Sequence, residues 1–349
     1  MTYMNTFYFI LSGQYYSLSY GELDSLMQIY NIVPKSMIDL TQLRIISLYN
    51  DVSTSIKSLV KRSGAVREGG KVIAITENYG EESKIVNNLI SDHSLINELK
   101  TLKDVWIDVH DIRGSARVNT RIVVKKIVDT IGLKLSKRAD NIFSIIFTDN
   151  IVLFGKVIAR LNTKEFNRRK PSSRPFFRSI ALPVQLSRIL INLTRVKDGD
   201  TILDPFCGTG SILIEACYMG LRALGVDINW ELVRGARTNL KHYKLYCGES
   251  VLSDATVFKS VNIDGIATDP PYGRAASTYG EDIKRIYKGF IEVANDVLDK
   301  NKYLVFMAPT WLEDYIDDKV YSSGLILIRK YYIFVHSGLT RVVYEVFKK

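Results

Sequence analysis

A glycine-rich turn that begins with an aspartate stands in the second half of the chain. In DPFCGTGSILIEA (204–216), Asp204 ends a short β-branched run, and Gly208 and Gly210 precede a helix-like segment. Glycine permits positive φ and lets a ligand approach the backbone closely. The third glycine of a dinucleotide fingerprint is replaced by Leu213, and no Gly-Lys-Ser/Thr of a phosphate loop follows. The turn therefore predicts a small-molecule pocket at the carboxyl end of a strand.

Two further aspartates follow later strand-like segments. Asp227 in ALGVDIN can accept hydrogen bonds from both hydroxyls of a ribose, and Asp254 in LSDAT can accept one from an adenine amino group. Each aspartate alone also fits a strand end or a helix cap. The three in order indicate S-adenosylmethionine, because a cationic sulfonium with an amino-acid tail needs carboxylate and backbone acceptors. The residues predicted to bind it are Asp204, Pro205, Cys207, Gly208, Gly210, Asp227, Ile228, Asp254 and Ala255.

The motif TDPPYGR (268–274) predicts the site of methyl transfer. An exocyclic amino group is a poor nucleophile, because its lone pair is conjugated into the base. The Asp269 carboxylate and the Pro270 carbonyl can accept its two hydrogens and turn the lone pair toward the methyl group. Pro270 and Pro271 stiffen the loop, and Tyr272 offers a ring on which an extruded base can stack. The predicted reaction is a direct in-line displacement in which Cys207 is not a nucleophile.

The segments around these motifs alternate between strand-like and helix-like patterns. This order predicts an α/β fold with a Rossmann-like, doubly wound and largely parallel sheet, closed by an antiparallel pair, YYIFVHSG and TRVVYEVFK. The first half predicts a small α+β unit and then a second one, which includes a helix over 81–100 and a hairpin turning at Asp149 and Asn150. The stretch at 164–178 is rich in Arg, Lys, Pro and Ser and predicts a linker.

Composition narrows the class of partner. The net charge of +10 and the pI near 9.3 favour a surface that attracts phosphate backbones. The sequence contains no run of about eighteen apolar residues, so it does not predict a membrane span. Cys207, Cys217 and Cys247 form no C-x-x-C pair, so they predict neither a disulfide framework nor a zinc site and fit a reducing cytoplasm. No metal is required, and a monomer is expected.

Several segments together resemble a known family. The stretch RPFFRSIALPVQLSRILINL (174–193), the two motifs above and HSGLTR (336–341) are similar to the archaeal THUMP-domain tRNA (guanosine-10-N2) methyltransferases. The resemblance is specific over about 165–349 and loose before that. It implies a ferredoxin-like domain at 1–60, a THUMP RNA-binding domain at 61–163, the linker at 164–178 and a methyltransferase domain at 179–349.

The resemblance implies tRNA as the substrate and THUMP as the part that recognises the acceptor end. Asp269 favours guanine N2, since Asn is commoner in relatives that act on adenine N6. The residues predicted to contact RNA are Arg274, Arg113, Arg168, Arg169 and Lys170. The family often carries Arg after the histidine at 336, so the contribution of His336 stays open.

Alternatives remain at this point. The methyl acceptor can be another guanine of tRNA or ribosomal RNA, or adenine or cytosine in DNA. One or two methyl groups can be added, and a small activating protein can take part. The chain can also be an inactive RNA-binding subunit, although Asp204, Asp227, Asp269 and Tyr272 are all present.

Overall fold

The computed structural model describes residues 4–179, 181–259, 263–273, 282–336 and 338–349. The elements up to residue 160 are β1 (Asn5–Leu11), α1 (Tyr16–Ile29), β2 (Ser36–Leu40), β3 (Leu43–Leu48), α2 (Ser53–Arg62), β4 (Val66–Glu77), α3 (Glu82–Ser91), α4 (His93–Leu99), β5 (Asp104–Asp111), α5 (Thr120–Ile131), β6 (Lys134–Leu135), β7 (Ile142–Thr148) and β8 (Ile151–Arg160). The later elements are α6 (Thr163–Arg169), α7 (Val184–Leu193), β9 (Thr201–Asp204), α8 (Ser211–Tyr218), β10 (Arg222–Asp227), α9 (Trp230–His242), β11 (Gly248–Leu252), β12 (Ile263–Thr268), α10 (Ile283–Val297), β13 (Leu298–Pro309), α11 (Glu313–Ser322), β14 (Ile326–His336) and β15 (Leu339–Lys348). Short 3-10 turns occur at Ile112–Gly114, Pro171–Ser173 and Thr310–Leu312.

The chain forms two compact units that do not follow its order strictly. The N-terminal unit contains the chain up to Tyr16, Ile32–Lys61 and Val66–Leu161. The C-terminal unit contains Asn162–Lys349 together with two earlier pieces, Ser17–Asn31 and Arg62–Ala65. Nearly all of α1 therefore belongs to the C-terminal unit, although it lies within the first thirty residues of the chain.

One mixed sheet runs through the N-terminal unit, with strand order β2-β3-β1-β4-β8-β7-β5-β6. The predicted hairpin is confirmed, since Thr148 pairs with Ile151 around Asp149 and Asn150. The predicted helix over 81–100 is broken into α3 and α4, because the Asp92 side chain caps the second helix by accepting a hydrogen bond from Ser94 N–H. The boundary at residues 60 and 61 stays a prediction, and the two segments that it separates share this sheet.

The C-terminal unit contains a seven-stranded sheet of order β11-β10-β9-β12-β13-β15-β14. Its first five strands are parallel, and β15 and β14 add an antiparallel pair, as the sequence predicts. The strand order reverses at β9, because β10 and β11 extend the sheet on one side of it and β12 and β13 on the other. Ligands of such sheets bind at this point, outside the carboxyl ends of the strands. The core packs α10 and α11 against the strands, with Phe290 and Tyr344 both against Phe306.

The stretch predicted as a linker is folded, and this prediction is corrected. It contains α6 and a 3-10 turn, and two of its arginines are buried. Arg169 donates to both oxygens of the buried Glu215 at 2.9 Å, and Arg174 donates to Ser211 Oγ at 2.6 Å. Two arginines of a stretch without apolar periodicity are buried here because their side chains find partners on α8.

Cys217 and Cys247 form a disulfide, which the cysteine spacing did not predict. It joins the end of α8 to the residue before β11, and the two Cα atoms lie 5.8 Å apart. Cys207 is a free, buried thiol. Within the described ranges, no helix combines the length and apolarity needed to cross a membrane.

We expect Cys217→Ser to destabilise the protein. The bridge closes a loop with a sequence separation of 30 residues. Closing a loop of that size lowers the conformational entropy of the unfolded chain and so stabilises the folded protein by about 3–4 kcal/mol. Thermal unfolding with and without a reductant measures the effect: the reductant should lower the midpoint of the natural protein but not that of the variant.

Cys207→Ser is the matched control, because it removes a thiol that takes no part in the bridge. This variant should keep the drop in midpoint on reduction. A natural protein whose midpoint is insensitive to a strong reductant would contradict the stabilising role of the bridge.

Candidate active site

The turn after β9 is anchored to β10 and opens toward a cavity. Cys207 N–H donates to the carbonyl of Val226 at 2.9 Å, and Gly210 N–H closes the turn on the carbonyl of Cys207 at 2.8 Å. Gly208 and Gly210 have φ of 50° and 83°, in the region that glycine adopts most readily. The turn therefore holds its backbone against the space that the sequence predicts for a ligand.

The Asp204 carboxylate is buried beside this turn. Its Oδ1 accepts hydrogen bonds from Phe206 N–H at 3.2 Å and from Thr268 Oγ1 at 2.6 Å. Burial, and then the charges of Asp227 and Asp269, raise the pKa of Asp204 to about 7, against the effect of those hydrogen bonds. Because Oδ1 takes both bonds and Asp204 lines the cavity, Oδ2 is available to a cationic ligand.

Asp227 ends β10 and Asp254 comes just after β11, the next two strands of the sheet. Asp227 Oδ2 accepts from Gly208 N–H and its Oδ1 accepts from Asn229 N–H, both at 2.9 Å, and burial raises its pKa. Asp254 Oδ1 accepts from the backbone N–H and the hydroxyl of Thr256 at 2.8 Å. Ile228 is exposed beside Asp227, whereas Ala255 is buried. The three predicted aspartates thus follow adjacent parallel strands, at one edge of the sheet.

Asp269 follows β12 and lies at the same edge, because β12 pairs with β9. The Tyr272 hydroxyl donates to Asp269 Oδ1, and Arg341 Nη1 lies 3.9 Å from Asp269 Oδ2. Burial raises the pKa of Asp269 to about 6, although the Arg341 charge and the Tyr272 hydrogen bond lower it. Pro270 is buried and Pro271 half-buried, and the hydrogen bond between Tyr272 and Asp269 spans this proline pair.

A cavity of about 280 Å³ connects the turn to this loop. Its walls combine the turn, the loop, the segment before α7 and the start of β15, including Asp204, Gly208, Thr209, Asp269, Leu339 and Arg341. Thr209 Oγ1 and Arg341 Nε are buried there without hydrogen-bond partners among the described residues. Open carboxylate and hydroxyl groups beside a glycine turn fit a sulfonium ligand with an amino-acid tail, as the sequence predicts.

Sequence reasoning gave no role to two residues of the site. Thr268 begins the TDPPYGR motif and donates a hydrogen bond to Asp204, and Arg341 lines the cavity from β15. The only sequence signal for Arg341 is its place in HSGLTR, which it shares with His336. His336 is exposed at the end of β14, where its Nδ1 accepts from Gly338 N–H at 3.1 Å.

The predicted RNA contacts are spread over both units. Arg113 is exposed in the N-terminal unit, with φ of 54°, and its guanidinium lies 5.5 Å from the Tyr16 ring centroid. Arg168 and Lys170 are exposed in the C-terminal unit, and Arg274 lies outside the described residues.

Arg169 is corrected from an RNA contact to a structural residue. Its guanidinium is buried, paired with Glu215 and 4.2 Å from the Tyr218 ring centroid. A buried and paired arginine presents no donors to a phosphate backbone, because its hydrogen bonds are already made inside the unit.

Known proteins match the chain in sequence. A model described as "RMKL-like, methyltransferase domain" matches residues 171–323, and a DNA methylase model matches 68–238, a range that ends before Asp269. A tRNA (guanine(10)-N2)-dimethyltransferase of Methanocaldococcus jannaschii is 30% identical over 98% of this chain and 99% of its own length. One of the same name from Methanothermobacter thermautotrophicus is 38% identical over 65% of this chain and 68% of its own.

A solved structure matches the fold. TrmN from Thermus thermophilus superposes with a TM-score of 0.59 at 15% identity, covering 99% of this chain and all of that one. At that identity the likeness concerns the fold alone, and it extends the α/β methyltransferase-like architecture with mixed sheets over nearly the whole chain.

We expect Asp204→Asn to stabilise the cofactor-free protein, and more so at higher pH. Because the pKa of Asp204 rises from 3.8 to about 7 on folding, the folded state holds this proton more tightly, so stability falls as pH rises through that window. An asparagine oxygen can accept both hydrogen bonds but carries no charge. Urea unfolding should show a gain about 2 kcal/mol larger near pH 8 than near pH 5.

Asp264→Asn on β12 is the matched control with the opposite sign. Burial raises the pKa of Asp264, but the hydrogen bonds from Lys302 Nζ at 2.7 Å and Thr201 N–H at 2.9 Å lower it by more. The net shift of the pKa is therefore downward. Relative to the natural protein, that variant should be increasingly destabilised as pH rises through the ordinary range of a carboxyl group. A gain for Asp204→Asn that does not change with pH would refute the electrostatic cause.

Proposed function

Because the chain belongs to the tRNA (guanine(10)-N2)-dimethyltransferase family, we propose that it transfers methyl groups from S-adenosylmethionine to N2 of guanosine 10 in tRNA. The observation that carries the proposal is the Asp269 carboxylate, which is only 16% exposed and shares one cavity with Asp204. The cavity thus combines an acceptor for an amino group with an acceptor for a cationic ligand.

Three aspartates would hold the cofactor. Asp204 would face its cationic amino-acid and sulfonium end, Asp227 its ribose and Asp254 its adenine, and the exposed Ile228 would cover a ring face. When bound, S-adenosylmethionine supplies an electrophilic methyl group. The turn at Gly208 and Gly210 lets the cofactor approach the backbone closely. A side chain at either position would strain the backbone, because both residues have positive φ.

Asp269 makes the guanine amino group reactive. With a pKa of about 6 it is ionised near neutral pH, so its carboxylate accepts one N2 hydrogen while the Pro270 carbonyl accepts the other. This pair of acceptors turns the lone pair out of the plane of the base and stabilises the positive charge that develops on N2. The carboxylate then takes the proton that N2 releases. A second transfer repeats the step on the remaining N2 hydrogen.

The N-terminal unit would deliver the tRNA. We assign its segments to the ferredoxin-like and THUMP domains implied by the resemblance, with Arg113 facing RNA, and Arg168, Lys170 and Arg274 as further contacts. The basic charge of the chain supports this role, because tRNA binding depends on phosphate neutralisation. A cytoplasmic enzyme that acts as a monomer, with or without a small activating protein, completes the proposal.

An assay with radiolabelled S-adenosylmethionine and an unmodified tRNA transcript tests the activity. We expect N2-methylguanosine or its dimethyl form on nucleoside analysis, and no incorporation into a matched transcript with adenosine at position 10. Methyladenosine as the product would overturn the base assignment, and labelling of the adenosine-10 transcript would overturn the position. Cofactor binding without any incorporation would favour the inactive RNA-binding subunit.

We expect Asp269→Ala to abolish turnover while cofactor affinity changes little. The carboxylate is assigned to the amino group of the base, and removing such a group lowers the rate by about 10²–10⁴-fold. The turnover number of the natural enzyme should rise as pH rises through about 6 and then level off, since only ionised Asp269 accepts the hydrogen. Single-turnover rates and calorimetric titration of the cofactor give the two measurements.

Asp269→Asn is the control for shape. It keeps one acceptor oxygen but cannot take the proton, so its rate should remain low and lose the rise near pH 6. Equal loss of turnover and cofactor affinity in either variant would contradict the role given to Asp269.

A further inference from the structure

Arg341 lines the same cavity as the glycine-rich turn after β9. It lies near the start of β15, where it pairs with Pro309 at the end of β13. Since β13 neighbours β12, the sheet brings Arg341 to the edge that carries Asp269. Its Nη1 lies 3.9 Å from Asp269 Oδ2, and its guanidinium carbon lies 5.2 Å from the centroid of the Tyr272 ring.

The donors of Arg341 are only partly used. The distance between Arg341 Nη1 and Asp269 Oδ2 exceeds that of a hydrogen bond. The two charges therefore attract each other without a hydrogen bond between them. Arg341 Nε is buried without a partner in the part of the chain that the structure describes, although the side chain as a whole is 23% exposed. A buried donor without an acceptor is costly. The arrangement therefore suits a ligand that brings an acceptor into the cavity.

We propose that Arg341 selects guanine by donating a hydrogen bond to the carbonyl oxygen at position 6 of the target base, which rests on the function proposed above. Guanine carries its N2 amino group and this carbonyl on one edge, on either side of N1. Asp269 accepts from the amino end of that edge and Arg341 donates to the other. Flipped bases are read at this edge.

Adenine lacks the carbonyl that this pair requires. Its position 6 carries an amino group, so a donor would meet another donor, and its position 2 carries no amino group. A site that leaves a buried polar group unpaired discriminates strongly against the wrong ligand. Arg341 would thus reinforce the preference that Asp269 alone does not explain, because a carboxylate accepts hydrogens from the amino group of either base.

A purely electrostatic role for Arg341 predicts a different result. Its charge lowers the pKa of Asp269, so removing it would impair every substrate that Asp269 serves. Recognition of the carbonyl predicts instead a change in the ratio between two bases that share the N2 amino group. Guanosine and 2,6-diaminopurine riboside are such a pair, since the second replaces only the position-6 carbonyl and the N1 hydrogen.

The test uses the full-length enzyme and tRNA transcripts with guanosine or 2,6-diaminopurine at the target position. The natural enzyme should prefer guanosine in kcat/KM by about 10²-fold or more. Arg341→Gln should lower that preference at least about tenfold, because its amide can turn to accept from the amino group as well as donate to the carbonyl. Arg341→Lys keeps a donor and should retain most of the preference.

Arg329→Gln is the matched control, since Arg329 lies on the neighbouring strand β14 and pairs with Asp24. It should leave the preference unchanged, and thermal unfolding shows whether each variant folds. Equal losses on both substrates in Arg341→Gln would overturn the recognition role. A natural enzyme that methylates both transcripts alike would overturn it while the proposed activity stands, and one that methylates neither at N2 would overturn both.

Discussion

The site depends on carboxylates at the edge of the seven-stranded sheet that are removed from water but only partly paired with hydrogen-bond donors or cations. Glu215 in the same unit is fully buried, but Arg169 and Arg188 pair with both of its oxygens. Asp204 receives one hydroxyl and one backbone N–H, both on the same oxygen, and no cation lies within ion-pairing distance of it among the described residues. A desolvated charge left open in this way favours a proton or a cationic ligand. The cavity therefore selects for positive charge before any ligand shape is considered.

A further buried carboxylate, Glu22, holds two early pieces of the chain in the C-terminal unit. Glu22 on α1 accepts hydrogen bonds from Ser63, Gly64, Ala65 and Asn192, with distances of 2.7–2.8 Å. These bonds explain why α1 and the piece at 62–65 belong to the C-terminal unit. A truncated chain that starts near residue 160 would lose Glu22 and leave Asn192 without this partner, so domain function cannot be dissected at the boundary that the sequence suggests.

Sequence reasoning places residues correctly where their spacing is local. Asp204, Gly208 and Gly210 stand within one turn, and Asp269 with Pro270 in one loop, so their proximity follows from short spacings, while the roles given to them stay predictions. The order of strands and helices after residue 200 is likewise set by local patterns, and the structure confirms it. The disulfide and the burial of Arg169 could not be predicted this way, because each depends on a partner more than twenty-five residues away whose position the fold decides. The position of Arg341 in the site could not be predicted for the same reason, since only the pairing of β13 with β15 brings it to Asp269.

The open spacing between Arg341 and Asp269 combines two requirements of the site. A closed ion pair would lower the pKa of Asp269 further, but it would also occupy the oxygen to which we assign the amino hydrogen of the base. At 3.9 Å the Arg341 charge still opposes the rise in pKa caused by burial, which keeps Asp269 ionised near neutral pH. Tyr272 takes the other oxygen of Asp269 and places its ring beside the same guanidinium. The carboxylate is thereby fixed on one side and open on the other, which is the arrangement that the proposed role of Asp269 needs.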